Sequence, residues 1–201
     1  KTNHYFEYVF PTSQKMENME VNFESISIYN SFKNISAENN NNVFKINFLG
    51  TTYTYTLDDG YYSAEDIRNA LLKYMTLDKL YFFNNSTKKA VYFIDVTENP
   101  SLYAIQINFY KIPTSVEAAS LNYIKPDGSA WSYPGTAITP TLEIINNVSL
   151  LLGIDKGVYP VNQSNDSYIL STISPQISVV NALILTTNVI NNGSFSNPPN
   201  I

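Results

Sequence analysis

Cysteine is absent from this chain of 201 residues, and histidine and arginine occur once each, as His4 and Arg68. The missing cysteines exclude disulfides, thiolate nucleophiles and zinc–thiolate centres in one step. A single histidine in a terminal stretch cannot build a Ser-His-Asp triad or a multi-histidine metal site, so His4 reads as a solvated terminal residue. Charge is scarce as well: Asp, Glu, Lys and Arg make up 14% of the chain, against roughly 25% in an average soluble domain. With 12 basic and 17 acidic residues and a net charge of −5, the chain lacks the basic patches that neutralise phosphates, which argues against specific nucleic-acid binding and against an anionic membrane surface. No apolar run approaches the roughly 18–20 residues of a membrane-spanning helix, and residues 1–11 lack the apolar region of a signal peptide. The expectation is a soluble chain without membrane insertion. It opens on Lys1 rather than Met, which predicts a fragment or a processed product. No G-x-G-x-x-G or phosphate-loop pattern occurs, and no cofactor is predicted.

Apolar residues at 44% exclude a disordered chain, and at this length about 70% of the unfolded surface can be buried. The surface is made polar by amides and hydroxyls: 26 Asn, 20 Ser and 16 Thr stand beside 16 Tyr and 11 Phe, a palette suited to β-strands. Seven N-x-[ST] triplets begin at Asn34, Asn84, Asn85, Asn147, Asn162, Asn165 and Asn192. This composition gives about five such triplets by chance, so they are weak evidence of glycosylation. An A+T-rich coding sequence explains the wealth of Asn, Ile, Tyr and Lys more simply.

Along the chain, residues 1–19 have no clean period and read as an arm. Val21, Phe23, Ser25 and Ser27 alternate with Ile26 and Ile28 as a strand interrupted at Asn30-Ser31, and the asparagine run 39–42 reads as a loop. Phe44, Ile46 and Phe48, then Tyr53, Tyr55 and Leu57, have period two around Leu49-Gly50, which predicts a hairpin with one buried face. Ser63 to Asp66 has the form of a capping box. Ile67, Leu71, Tyr74 and Met75 share a helical face, predicting a helix over 64–76 whose opposite side, with Arg68 and Lys73, is solvated.

Residues 80–83 and 90–96 are expected to form a second hairpin, and 102–112 a strand with Tyr103, Ile105, Ile107 and Phe109 on one face. The loose stretch 114–140 reads as an insertion or a set of apex loops in which Trp131 anchors a local core. Within 144–154, Val148, Leu151 and Leu152 have helical spacing before Gly153. Residues 157–167 read as a loop, 168–173 and 177–190 as strands, and 193–201 as a tail. Asp58-Asp59 could supply a carboxylate pair or hard-cation ligands, but Asp58-Asp59-Gly60 reads more simply as turn chemistry closing a strand.

Eight or more strands with one full helix predict a mainly β chain, a β-sandwich or jelly roll over residues 20–192. Three segments together resemble the penton-type vertex capsid proteins of virophages and of Polinton- and adintovirus-like double-stranded DNA viruses, and more distantly adenovirus penton base. They are the strand segment Ser27 to Ile35 with Asn30 and Asn34, the run Leu57 to Ile67 with Gly60, Tyr61 and Ile67, and Asn147 to Ile154 with Leu151, Leu152 and Gly153. Ile154 stands where the family element ends in an aromatic. The resemblance implies a single jelly roll with one or two short helices and an inserted loop region, with five copies closing an icosahedral vertex. It further implies a homopentamer that meets a neighbouring major capsid protein, sits in the virion capsid and assembles in the infected host cytoplasm, with no catalytic role. The rival expectation is a β-sandwich carbohydrate- or receptor-binding module using exposed tyrosines and Trp131. A third is an enzyme built on a carboxylate pair.

Overall fold

The computed structural model describes residues 33–133 and 135–177, which fall within one unit spanning Ser31–Asn181. His4, Asn30, the arm 1–19, the strand near Val21, the strand predicted over 178–190 and the tail lie outside the described residues.

The first hairpin forms as its period requires. β1 (Val43–Phe48) and β2 (Thr51–Thr56) pair antiparallel with Phe44 opposite Tyr55 and Ile46 opposite Tyr53. Phe44, Ile46, Phe48 and Tyr55 are buried while Thr52, Thr54 and Thr56 face solvent. The two-residue turn holds Leu49 at φ +52° and Gly50 at φ +84°. Paired positive φ values match the twist of the flanking strands, and the Asn47 side chain accepts the Gly50 N–H at 3.1 Å.

α1 (Ala64–Leu77) begins at the predicted box: Ser63 Oγ accepts the Asp66 N–H, and Asp66 returns to the Ser63 N–H at 2.9 Å. Ile67, Leu71 and Met75 are its buried residues along with Ala64. Arg68 departs from the solvated face expected of it. Its guanidinium pairs with Asp95, fastening the helix to a strand 27 residues further on.

The expected second hairpin is shorter than its sequence suggested. β3 (Phe82–Asn84) and β4 (Lys89–Val91) pair, but the chain then leaves that sheet at Tyr92-Phe93, and β5 (Ile94–Asn99) joins another. The strand predicted over 102–112 contracts to β6 (Ala104–Phe109). Ile105, Ile107 and Phe109 are buried as expected, whereas Tyr103 is 87% exposed at φ +49°. A reverse turn, closed by Leu102 N–H donating to Asn99 O at 3.1 Å, takes Tyr103 off the shared face.

Four elements were not expected: a helix and a strand inside the stretch 114–140, a strand at 141–144, and one in the stretch read as loop. α2 (Ser115–Ser120) starts at a second capping box, Thr114 with Glu117, inside the stretch read as loose. β9, introduced below, lies in a stretch read as loop. After α2 come β7 (Tyr123–Ile124), which pairs with β3, then β8 (Thr141–Ile144) and α3 (Val148–Leu152). β9 (Gly157–Tyr159) pairs with β8, and β10 (Ser167–Leu170) pairs with β6. The three sheets have the orders β2-β1-β8-β9, β10-β6-β5 and β4-β3-β7, and every pairing is antiparallel. The chain is therefore mainly β with a few short helices.

One apolar core joins these parts. Phe44, Ile46 and Leu142 come from the first sheet, Ile94, Ile107 and Phe109 from the second, Phe82 from the third, and Ile67, Leu71, Leu151 and Leu152 from the helices. Each such side chain contributes roughly 1.5–3 kcal/mol on burial. Their shared core fixes the positions of the loops between them.

Candidate functional site

Two of the segments singled out in the sequence meet in one buried knot. Asn34 is only 2% exposed. Its amide donates to Tyr62 O and to Ile177 O, both at 2.7 Å, and its Oδ1 accepts the Tyr62 N–H at 2.8 Å. Gly60 adds a bridge to Ile35, with the Gly60 N–H donating to Ile35 O at 2.9 Å and the Ile35 N–H to Gly60 O at 3.1 Å. The third segment bonds the adjoining loop at the surface: Asn147 Nδ2 donates to Asn39 O at 2.8 Å, and its backbone N–H donates to Asn40 O.

The asparagine run expected to be plain loop supplies the middle of this knot. Asn41 is buried, accepts the Ser36 N–H at 2.9 Å and donates to Asn34 O at 2.7 Å, while Asn42 is buried and donates to Leu57 O. An amide carries a donor and an acceptor on one short arm, so it can satisfy two buried backbone groups that no strand partner reaches. Composition showed a polar run; only the packing showed that half of it points inward.

The remaining singled-out residues divide by burial. Ile67, Leu151 and Leu152 are core side chains, and Tyr61 is exposed. Gly153 ends α3 in the left-handed region at φ +69°. Its carbonyl accepts the Thr172 N–H at 2.7 Å and the Ile173 N–H at 3.2 Å, so the helix end is tied to the segment after β10.

Asp58 and Asp59 do not form a working pair. Asp59 accepts the Ala37 N–H at 2.9 Å and the Lys33 ammonium at 3.3 Å, while Asp58 contributes its backbone carbonyl to the Tyr62 hydroxyl. The Ala37 N–H, with help from Lys33, holds the Asp59 carboxyl below the usual carboxylate range. Ser63, Thr114 and Ser129 do the same for Asp66, Glu117 and Asp127, each through a hydroxyl and a backbone N–H. These groups are ionised turn and helix caps, unsuited to donating a proton near neutrality.

Groups whose folded pKa is depressed stabilise the fold above their unfolded pKa, near 4, and lose that contribution as pH falls through the folded value. Urea midpoints are therefore expected to be flat from pH 7 to about 5 and to drop below about 4. An Asp66→Asn and Glu117→Gln double variant should show a shallower drop than the unsubstituted chain, and an equal slope would sink the assignment. Burial, with the Asp78 carboxylate nearby, pushes the Tyr55 phenol well above its ordinary range, and the ring lies stacked on Tyr74 at 4.8 Å. Among the described residues no group of three metal-ligating side chains converges, and no helix is long and apolar enough to cross a membrane.

An open cleft of about 590 Å³ lies among the described residues. Its floor is apolar, from Val91, Phe93, Pro113 and Ala137, and three tyrosines, Tyr92, Tyr110 and Tyr123, stand around it. Glu117, Lys111 and Asp166 lie at its polar side. Trp131 is not part of the lining. Its indole donates to Pro113 O at 2.9 Å and packs 4.5 Å from the Phe82 ring, the local anchor that its sequence context predicts. The tyrosines gave no sequence signal, because they sit on three different segments. No protein-family model, curated protein or solved structure matches this chain.

Proposed function

We propose that the chain is a structural capsid protein of the penton type, a single jelly roll of which five copies close the vertex of an icosahedral virion. The observation that carries this reading is the knot at Asn34. Three short segments, separated by some 20 to 80 residues and individually common, are the ones that resemble the family; the first two meet at Asn34 and across the Ile35–Gly60 bridge, and the third, through Asn147, bonds the adjoining loop at Asn39 and Asn40. Residues with a shared structural task are expected to be retained together even when the rest of a chain drifts.

The mainly β, antiparallel architecture supports the reading. So does the surface. Val116, Val158, Val161, Tyr168 and Ile173 are exposed on separate elements, and weakly charged flanks of this kind are desolvated at lower cost than Lys- and Glu-rich ones. A ring closes through heterologous contacts in which one flank of each copy meets the other flank of the next. The neighbour beyond the ring is the major capsid protein, the place of assembly is the infected host cytoplasm, and neither catalysis nor a cofactor enters the mechanism.

The test is a count of subunits. Light scattering coupled to size exclusion is expected to give five protomers on concentration, and negative-stain images should show fivefold rings. A strictly monomeric mass across a wide concentration range overturns the proposal.

A further inference from the structure

We propose that the tyrosine cleft is a binding site for a neutral saccharide, presented as a mono- or disaccharide end. This inference is independent of the vertex reading: a ring can form without a sugar, and a monomer can bind one.

The cleft combines two kinds of surface that a pyranose needs at once. A sugar ring has faces of C–H groups, which pack on aromatic rings, and an equator of hydroxyls, which seek acceptors and donors. Two of the aromatic walls are held in place before any ligand arrives. The Tyr92 hydroxyl bonds the Thr76 hydroxyl of α1 and its ring leans on Tyr81 at 5.5 Å. Tyr123 packs on Phe82 at 6.1 Å. Rings already fixed lose little freedom on binding. Tyr110 is 42% exposed and offers a third ring.

Polar groups beside these walls have spare capacity. Glu117 uses Oε2 for the Thr114 N–H and hydroxyl, leaving Oε1 for a ligand hydroxyl. Asp166 uses Oδ1 to hold the Lys111 N–H at 2.7 Å, leaving Oδ2. Lys111 lines the same cleft, and its ammonium can supply donors. Two carboxylates against one ammonium, on a chain of net charge −5, favour an uncharged ligand over an acidic one. The volume lies within the roughly 300–1,000 Å³ typical of small-molecule sites.

Trp131 supplies the readout. It is the single tryptophan, and its indole is bonded to Pro113, which lines the cleft. Methyl β-galactoside, methyl β-glucoside, N-acetylglucosamine, lactose and sialyllactose are to be titrated while tryptophan emission and saturation-transfer NMR are followed. At least one neutral sugar is expected to bind with a millimolar constant or better, with transfer strongest to ring C–H protons. Sialyllactose should bind more weakly than lactose.

Tyr110→Ala is expected to weaken binding about tenfold, the scale of one lost aromatic platform, and Tyr110→Phe to leave it within about twofold. Leu121→Arg, an exposed substitution at the cleft, should abolish it, whereas Tyr103→Ala in the β5–β6 turn should not. Absence of transfer to every neutral sugar at about 10 mM, or unchanged binding in both Tyr110→Ala and Leu121→Arg, overturns the proposal. Equal binding of lactose and sialyllactose overturns the neutral selectivity. Neither outcome touches the subunit count.

Discussion

Gly153→Ala is expected to be the most damaging single-methyl change in this protein, lowering stability by about 2–5 kcal/mol. Two separate costs combine. An L-residue in the left-handed region at φ +69° costs roughly 1–2 kcal/mol by itself. In addition, a Cβ at this position would lie 2.2 Å from Ile173 O and 3.1 Å from Pro175 N. Both are backbone atoms, and the chain that carries them is held by the Gly153 carbonyl through Thr172 and Ile173, so it cannot yield without breaking those bonds.

Gly50→Ala provides the internal comparison. Gly50 has φ +84° but no atom within 4 Å of the added Cβ, so only the conformational cost applies, about 1 kcal/mol. Urea unfolding of both variants isolates the steric part as the difference. A Gly153→Ala midpoint no lower than that of Gly50→Ala would mean that the close approach to Ile173 is wrong. Because whole domains are stable by only about 5–15 kcal/mol, Gly153→Val is expected to leave little folded protein.

Asn34→Ala is expected to cost about 2–4 kcal/mol, more than its volume suggests. The substitution removes one amide but leaves Tyr62 N–H, Tyr62 O and Ile177 O without their partners, and unpaired buried groups carry most of the penalty. Asn34→Asp separates the donor from the acceptor role. The carboxylate can still accept the Tyr62 N–H, but it faces Tyr62 O and Ile177 O, 2.7 Å from the present amide nitrogen, with repulsion in place of two bonds. Its loss at pH 7 is therefore expected to match or exceed that of Asn34→Ala. If Asn34→Asp retains wild-type stability by urea unfolding, the amide does not donate to these carbonyls. Loss of the Asn34 tie to Tyr62 and Ile177 should open this region before global unfolding in the variants, visible as early hydrogen exchange at Tyr62.

The same residues show how far reading the chain can go. α1 was legible because three signals agreed: the Ser63–Asp66 box, the 3.6-residue period and the charged far side. α2 carries an equally good box at Thr114–Glu117 but buries only Ala118, so no period announced it. Tyr103 continued the alternation of Ile105, Ile107 and Phe109, yet a turn claimed it first. β9 has three residues, Gly157–Tyr159, too few to display a period at all, and exists because β8 offers it an open edge. Arg68 looked like one more solvated charge; its partner Asp95 is distant in sequence and adjacent only after folding.

Patterns within about ten residues were enough to determine the mainly β character, the first hairpin, the capped helix, the glycine stop at 153 and the exclusion of thiol and multi-histidine chemistry. These depend on local torsions, side-chain alternation and composition, all of which are present in any stretch of chain. Which sheet each strand joins, why Asn34 and Asn41 are buried amides while Asn39 is exposed, and how Tyr92, Tyr110 and Tyr123 come to share a cleft were decided by the tertiary structure alone. Those outcomes depend on contacts between residues far apart in sequence, and such contacts are selected by burial of the whole core rather than by any segment's own preference.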